Sequence, residues 1–184
     1  METILADVTD LTCRCGQVGV HLQGAPILSV ECLCSDCQSA GQAFVAKSGG
    51  GPVLLETGAT PFVLYRKDRV SFTRGAESLC EHRLSETSKT RRVIASCCNT
   101  PVFLELGGSH WLSLYATLWP DGTKPPLQLR TMTKDAPADA VLSGDVPNPG
   151  THTPGFYAKL LGAWMAMGFR NPKVEGLKER LDVW

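Results

Sequence analysis

The chain has 184 residues, 18 Lys plus Arg against 18 Asp plus Glu, and a formal net charge of zero at pH 7. That length suits one domain with a sizeable core. The balanced charge, with no basic stripe interleaved with aromatics, gives nucleic-acid binding no support, and Arg91-Arg92 reads as ordinary solvated surface. No apolar run reaches the ~20 residues of a membrane span, the longest being Leu160 to Phe169. The start METILADVTD lacks the basic-then-apolar order of a signal peptide, so a cytoplasmic protein without membrane attachment is expected.

In chain order, a strand is expected to end at Cys13, where Gly16 suits a tight turn. Val18, Val20 and Leu22 alternate with small or polar residues and predict a half-buried strand. Ile27 to Leu33 is a β-branched and apolar run. A short helix follows, capped by Ser35 and running to Gly41. Lys47 to Pro52 reads as a glycine-rich loop; it lacks the ending of a phosphate-binding loop. Further short strands are predicted at 62–65, 70–72, 79–84, 92–95, 102–106 and 112–118, with turns at Lys67-Asp68, Gly75 and Gly107-Gly108. Many short strands between such turns argue for an antiparallel, mainly β architecture. The Pro- and Gly-rich stretch 120–154 reads as a long surface connection. Phe156, Leu160, Leu161, Trp164, Met165 and Phe169 then follow helical spacing, stopped by Asn171-Pro172. That amphipathic helix is expected to pack on the body of the domain or on a second subunit. The organisation predicted is therefore a domain over 1–120 and a helical extension over 121–184.

Seven of the eight cysteines fall in three clusters: Cys13 and Cys15; Cys32, Cys34 and Cys37; Cys97 and Cys98. Thiols one or two residues apart are poor disulfide partners for each other and good ligands for one thiophilic ion such as Zn²⁺. The cysteine fraction is also below that of a disulfide scaffold, and no export signal is visible. Two zinc ions are expected. Cys13 and Cys15 supply two corners of a tetrahedron, and Cys97-Cys98, at the end of another strand, is the obvious second pair. Cys32, Cys34 and Cys37 supply three corners, which leaves one open to water or a thiol; the alternative is a closed site completed by Cys80 or a histidine. Cys80 by itself reads as a small buried residue.

Three motifs, Cys13-Arg14-Cys15-Gly16, Cys32-Leu33-Cys34-Ser35-Asp36-Cys37 with Gly41 and Phe44 beyond, and Cys98-Asn99-Thr100-Pro101, resemble in order and spacing the glutathione-dependent formaldehyde-activating enzyme family, which includes centromere protein V. The resemblance covers about residues 10–118. It implies a β-tent fold with zinc between strand ends. It implies structural ligands at Cys13, Cys15 and Cys98, and a reactive zinc on Cys32, Cys34 and Cys37 whose fourth position takes a substrate thiolate. The activity implied is a carbon–sulfur lyase reaction of the S-hydroxymethylglutathione type, on a small thiol or aldehyde-derived substrate. The other reading is a non-enzymatic, zinc-stabilised module that binds a protein or small ligand.

The chain departs from that pattern in two places. Ala95 stands where the last motif has its first cysteine, and Asn99 replaces a glycine. Cys97 is the thiol left to complete the structural site. Alternation along a strand would turn it away from Cys98, unless a turn at Asn99-Thr100-Pro101 intervenes; otherwise it faces the second zinc or stays free. Near the triad, Leu33, Gln38 and Ser39 replace histidine and basic residues, which weakens the case for an anionic peptide. A zinc with three thiolates would lower the pKa of an incoming thiol for attack on an aldehyde. As a Lewis acid it would be blunted by those thiolates. No general acid or base stands out: His21, His82, His110 and His152 are isolated, and Glu31 and Asp36 flank the triad without distinctive spacing.

Overall fold

A computed structural model describes residues 8–46 and 51–174 with their side chains, and the backbone of 178–183. The acidic start over 1–7 and the glycine run over 47–50 lie outside the described residues. Eleven strands among the described residues form two sheets. β1 (Val8–Thr12), β2 (Gly19–Gln23) and β5 (Val70–Arg74) make a small antiparallel sheet in the order β1-β2-β5. The large sheet contains β3 (Leu28–Cys32), β4 (Thr60–Arg66), β6 (Leu79–Arg83), β7 (Thr90–Ala95), β8 (Thr100–Leu106), β9 (Trp111–Tyr115), β10 (Leu129–Thr131) and β11 (Lys178–Val183). Its order is β10-β3-β4-β9-β8-β7-β6-β11. The molecule is mainly β with a C-terminal helix, as the sequence predicts.

The large sheet is covered on both faces, which explains its nearly continuous apolar strands. Alternation along β4 sends Val63 and Tyr65 toward the small sheet, where they meet Leu11, Val20 and Leu22. It sends Phe62 and Leu64 the other way, toward Phe44 of α1 (Ser35–Ala46) and toward Phe156 and Leu160 of α2 (Pro154–Ala166). The resulting layers are small sheet, large sheet and helices. The candidate site lies between the last two.

The structure corrects three of the expectations. α1 does not stop at Gly41 but runs to Ala46. Gly41 is where Leu54 crosses the helix, and a Cβ there would come within 2.4 Å of the Leu54 side chain; the glycine provides space and is no terminator. The stretch 120–154 is more than a surface connection, because buried β10 within it pairs parallel with β3. Three residues are too few to show a period, so composition dominated the reading. The sheet is also not wholly antiparallel: β10 and β11 pair parallel with β3 and β6 at its two ends.

α2 begins where the Thr153 hydroxyl accepts from the Phe156 N–H and Pro154 sits in the first turn. This is the favoured start for a helix. It ends at Ala166, before Gly168 and Phe169, both at positive φ. One narrow side packs on the sheet through Phe156 and Leu160, while Tyr157, Leu161 and Met165 stay exposed. No helix among the described residues is long and apolar enough to cross a membrane.

Candidate metal centres

Two hairpin loops build the first cluster. Between β1 and β2, the Gly16 N–H donates to the Cys13 carbonyl at 2.8 Å, and Gly16 takes a φ of 78°. Between β7 and β8, Ala95 pairs with Thr100, so residues 96–99 form a tight loop. Asn99 adopts the left-handed conformation at φ 54°, which Asn tolerates better than most residues. Cys97 and Cys98 thus sit in a turn and not at the end of a strand, and strand alternation does not separate them. The Arg14 N–H donates to Thr100 Oγ1 at 3.2 Å, and the Arg14 guanidinium donates to the Cys98 carbonyl at 3.1 Å. These bonds tie the two loops together.

The Sγ atoms of Cys13, Cys15, Cys97 and Cys98 all lie within 4.8 Å of one another. Cys13–Cys15 is 3.6 Å, Cys15–Cys97 is 3.4 Å, and Cys97 stands 3.8 Å from both Cys13 and Cys98. Arms of 2.3 Å at the tetrahedral angle give an edge of about 3.8 Å, so this set fits one thiophilic ion. The Val18 N–H donates to Cys13 Sγ at 3.3 Å. Burial works against ionisation of Cys98, but the Thr100 hydroxyl at 3.0 Å and nearby backbone N–H groups bring its pKa down to about 6. Burial and hydrogen bonds to Cys15 and Cys13 push Cys97 up.

The second cluster comes from the end of β3 and the first turn of α1. The Cys34 carbonyl accepts from the Cys37 and Gln38 N–H groups at 3.0 and 3.1 Å, which folds the segment back on itself. The Gln38 side chain donates to the carbonyls of Leu33 and Asp135, clamping the turn against the segment after β10. The Sγ atoms of Cys32, Cys34 and Cys37 lie within 4.8 Å of one another. Shared hydrogen bonds with Cys32 and Cys37 hold Cys34 far below the usual thiol range, and Arg92 adds to this. The same bonds raise Cys32 and Cys37. No fourth Cys, His, Asp or Glu among the described residues joins them. Cys80 is buried in the neighbouring apolar cluster, as expected of a small core residue.

All three cysteines line a cavity of about 250 Å³ on the helical face of the large sheet. Its floor follows the register of the ladder. Arg92 pairs with Leu104, Leu104 with Ser113, and Ser113 with Leu64, and directly paired residues share a face. Phe156, Tyr157 and Leu160 of α2 wall it.

Two cavity residues depart from the sequence reading. Arg92 is no solvated surface residue: it is 2 % exposed and lines the cavity. The Arg91-Arg92 doublet hid this, because alternation places Arg91 against Glu81 and Glu105 and Arg92 on the opposite face. His152 is not isolated either. It lines the same cavity, with its ring 4.5 Å from that of Phe156, and burial lowers its pKa. Only α2 brings it there. The remaining candidates are structural or stand aside. Glu31 is paired with Arg130 at 2.7 Å. Asp36 does line the cavity, but it is exposed and meets Arg92 through its backbone carbonyl. His21 meets Asp10 at 2.7 Å, and His110 Nε2 meets the Leu160 carbonyl at 2.8 Å. His82 is buried in β6.

Fold and site together define a mainly β protein with two cysteine clusters, each able to hold a metal ion. The chain belongs to a family of unknown function, DUF6151, whose model matches residues 5–115. That span holds all seven clustered cysteines and Arg92, and leaves out His152 and α2. Among curated proteins none matches the chain. A crystal structure of a Rhodobacter sphaeroides protein is similar at 16 % identity and a TM-score of 0.46, over 77 % of this chain and 100 % of that one. At that level the likeness assigns neither fold nor function.

Proposed function

We propose that the protein holds two zinc ions and forms or breaks thiol–aldehyde adducts, as a carbon–sulfur lyase of the kind its three cysteine motifs resemble. The donor sets support zinc, since both clusters consist of cysteine alone among the described residues and all-thiolate tetrahedra suit Zn²⁺. Cys13, Cys15, Cys97 and Cys98 would hold a closed structural ion. Cys32, Cys34 and Cys37 would hold the reactive one. The observation that carries this reading is a three-sulfur cluster, with no fourth protein ligand among the described residues, opening into a cavity. A zinc ion bound there supplies one thing, the stabilisation of an incoming thiol as thiolate.

The chain's own residues do the rest. The apolar walls from Phe62, Leu64, Leu104 and Phe156 exclude water from the reacting carbon. The Arg92 guanidinium keeps positive charge beside the sulfurs. His152, whose ring lines the cavity and whose pKa burial lowers, is the imidazole placed to take the thiol proton and return it to the oxygen of the adduct. The unit over 1–120 would then depend on the extension, because α2 and His152 complete the cavity. Reduced ligands imply a reducing compartment such as the cytoplasm.

Elemental analysis of reduced protein should find two zinc ions per chain. X-ray absorption should count about 3.5 sulfurs per zinc without added thiol and about 4 with it. Formaldehyde and a small thiol should then form adduct faster with protein than without. Four sulfurs per zinc in the absence of thiol, or paired disulfides and no zinc, would refute the open site. An open site without adduct chemistry would favour the zinc-stabilised binding module, to which the apolar cavity is suited.

A further inference from the structure

We propose that the cavity beside Cys32, Cys34 and Cys37 is a carboxylate-recognition site, in which Arg92 binds the anionic head of a small ligand with an apolar body. Three buried cations stand among the described residues: Lys67, Arg92 and Arg130. Lys67 meets Glu105 at 2.5 Å, and Arg130 meets Glu31 at 2.7 Å. Arg92 has no carboxylate partner among the described residues. Its Nη2 donates to the Asp36 carbonyl at 3.2 Å, while Nε and Nη1 are buried without an acceptor. A guanidinium carries five N–H donors and no acceptor, so three N–H groups of a desolvated cation await one. Attraction to Cys34 offsets part of the charge, and the Tyr115 side chain also interacts with the guanidinium, but Nε and Nη1 keep no acceptor.

The unpartnered atoms converge. Five buried side-chain polar atoms lack a partner among the described residues, and three belong to residues lining this one cavity: Nε and Nη1 of Arg92, and Oγ1 of Thr131. Buried polar atoms in folded proteins are nearly always served by a protein partner, an ordered water or a ligand. Water can serve them in the free protein. A carboxylate replaces it with charge-assisted bonds, and Arg is the side chain best shaped for that exchange.

The rest of the lining sets the ligand's body. Most of it is apolar, with Val30, Phe62, Leu64, Leu104, Trp111 and Leu160, while Asp36, Thr90, Ser113 and His152 are polar members; a second charge set among the apolar residues would be buried without a partner. A cavity of about 250 Å³ is below the ~300–1,000 Å³ usual for drug-sized ligands. A tripeptide with two carboxylates and an ammonium group does not fit that description. A short-chain or aryl-substituted monocarboxylate does. Where the ligand is also the thiol substrate, this rests on the proposed function; the carboxylate site itself does not.

The test is calorimetric titration of zinc-loaded protein with butanoate, hexanoate and 3-phenylpropanoate, each against its uncharged amide. At least one acid should bind, and its amide should bind at least about tenfold more weakly. Arg92→Met, with zinc content and thermal midpoint checked, should remove the preference for acid over amide, and Arg92→Lys should restore part of it. Should Arg92→Met fail to fold, Arg92→Gln with zinc content checked takes its place, and loss of the acid preference there separates Arg92 from a carboxylate held by the zinc. Equal binding of acid and amide, or no binding of any acid, overturns the inference. Acid binding without adduct chemistry removes only the proposed activity. Thiol uptake at the triad with no acid preference removes only the carboxylate site.

Discussion

Removing the two sulfurs of the β7–β8 loop should destabilise the protein far more than removing two from the triad. The reason is the length of chain that each proposed ion would close. Cys13 and Cys97 are 84 residues apart in sequence, whereas Cys32 and Cys37 are five positions apart. Treated as a covalent cross-link, closing about 84 residues removes about 15 cal/mol/K from the unfolded chain, or about 4.5 kcal/mol at 25 °C. Closing about five removes about 7 cal/mol/K, or about 2 kcal/mol. The first figure is comparable to the whole stability of a marginal domain, about 5–15 kcal/mol. At about 2–4 °C per kcal/mol for a chain of this size, Cys97→Ser/Cys98→Ser should lower the thermal midpoint by about 9–18 °C. Cys34→Ser/Cys37→Ser should lower it by about 4–8 °C. The assay is calorimetric unfolding of zinc-loaded proteins, with zinc counted in each. Equal losses, or a larger loss from the triad variant, would refute the argument. The single variants Cys13→Ser and Cys34→Ser should rank in the same order.

Two further outcomes follow from the packing. Gly75 sits at φ 67° with the Gln17 carbonyl oxygen 2.4 Å from where a Cβ would be, whereas Gly108, at φ 81°, has nothing within 4 Å. Gly108→Ala should therefore cost only the left-handed penalty of about 1–2 kcal/mol. Gly75→Ala should add about 1–3 kcal/mol of overpacking, and equal denaturation midpoints for the two would contradict this. Burial works against ionisation of Glu81, yet Arg83 and Arg91 hold its pKa below the usual carboxylate value. Its folded pKa is depressed, so its contribution is complete above the unfolded pKa of about 4.3 and is lost as pH falls through the folded value. Glu81→Gln should flatten the acid limb of the stability–pH curve, and an unchanged slope below pH 5 would show that the ion pairs contribute nothing.

The sequence by itself determined the mainly β class, most of the strands and the clustering of the cysteines. Short apolar runs between turn residues specify strands locally, because side-chain alternation and turn propensity act over a few residues. Cysteines two or three positions apart specify a cluster able to hold a metal ion for the same reason: one turn of backbone carries them. Tertiary structure decided what depends on contacts distant in sequence. It gathered Cys97 and Cys98 of one hairpin loop with Cys13 and Cys15 of another, because the Ala95–Thr100 pairing closes a turn in which strand alternation no longer separates Cys97 from Cys98. It carried Gly41 inside a helix, because Leu54 crosses there. It brought Arg92 and His152, sixty positions apart, to one cavity with the Cys32–Cys34–Cys37 cluster. An arginine reads as surface until the sheet that buries it is known, since desolvation depends on what covers a residue and not on its neighbours in the chain.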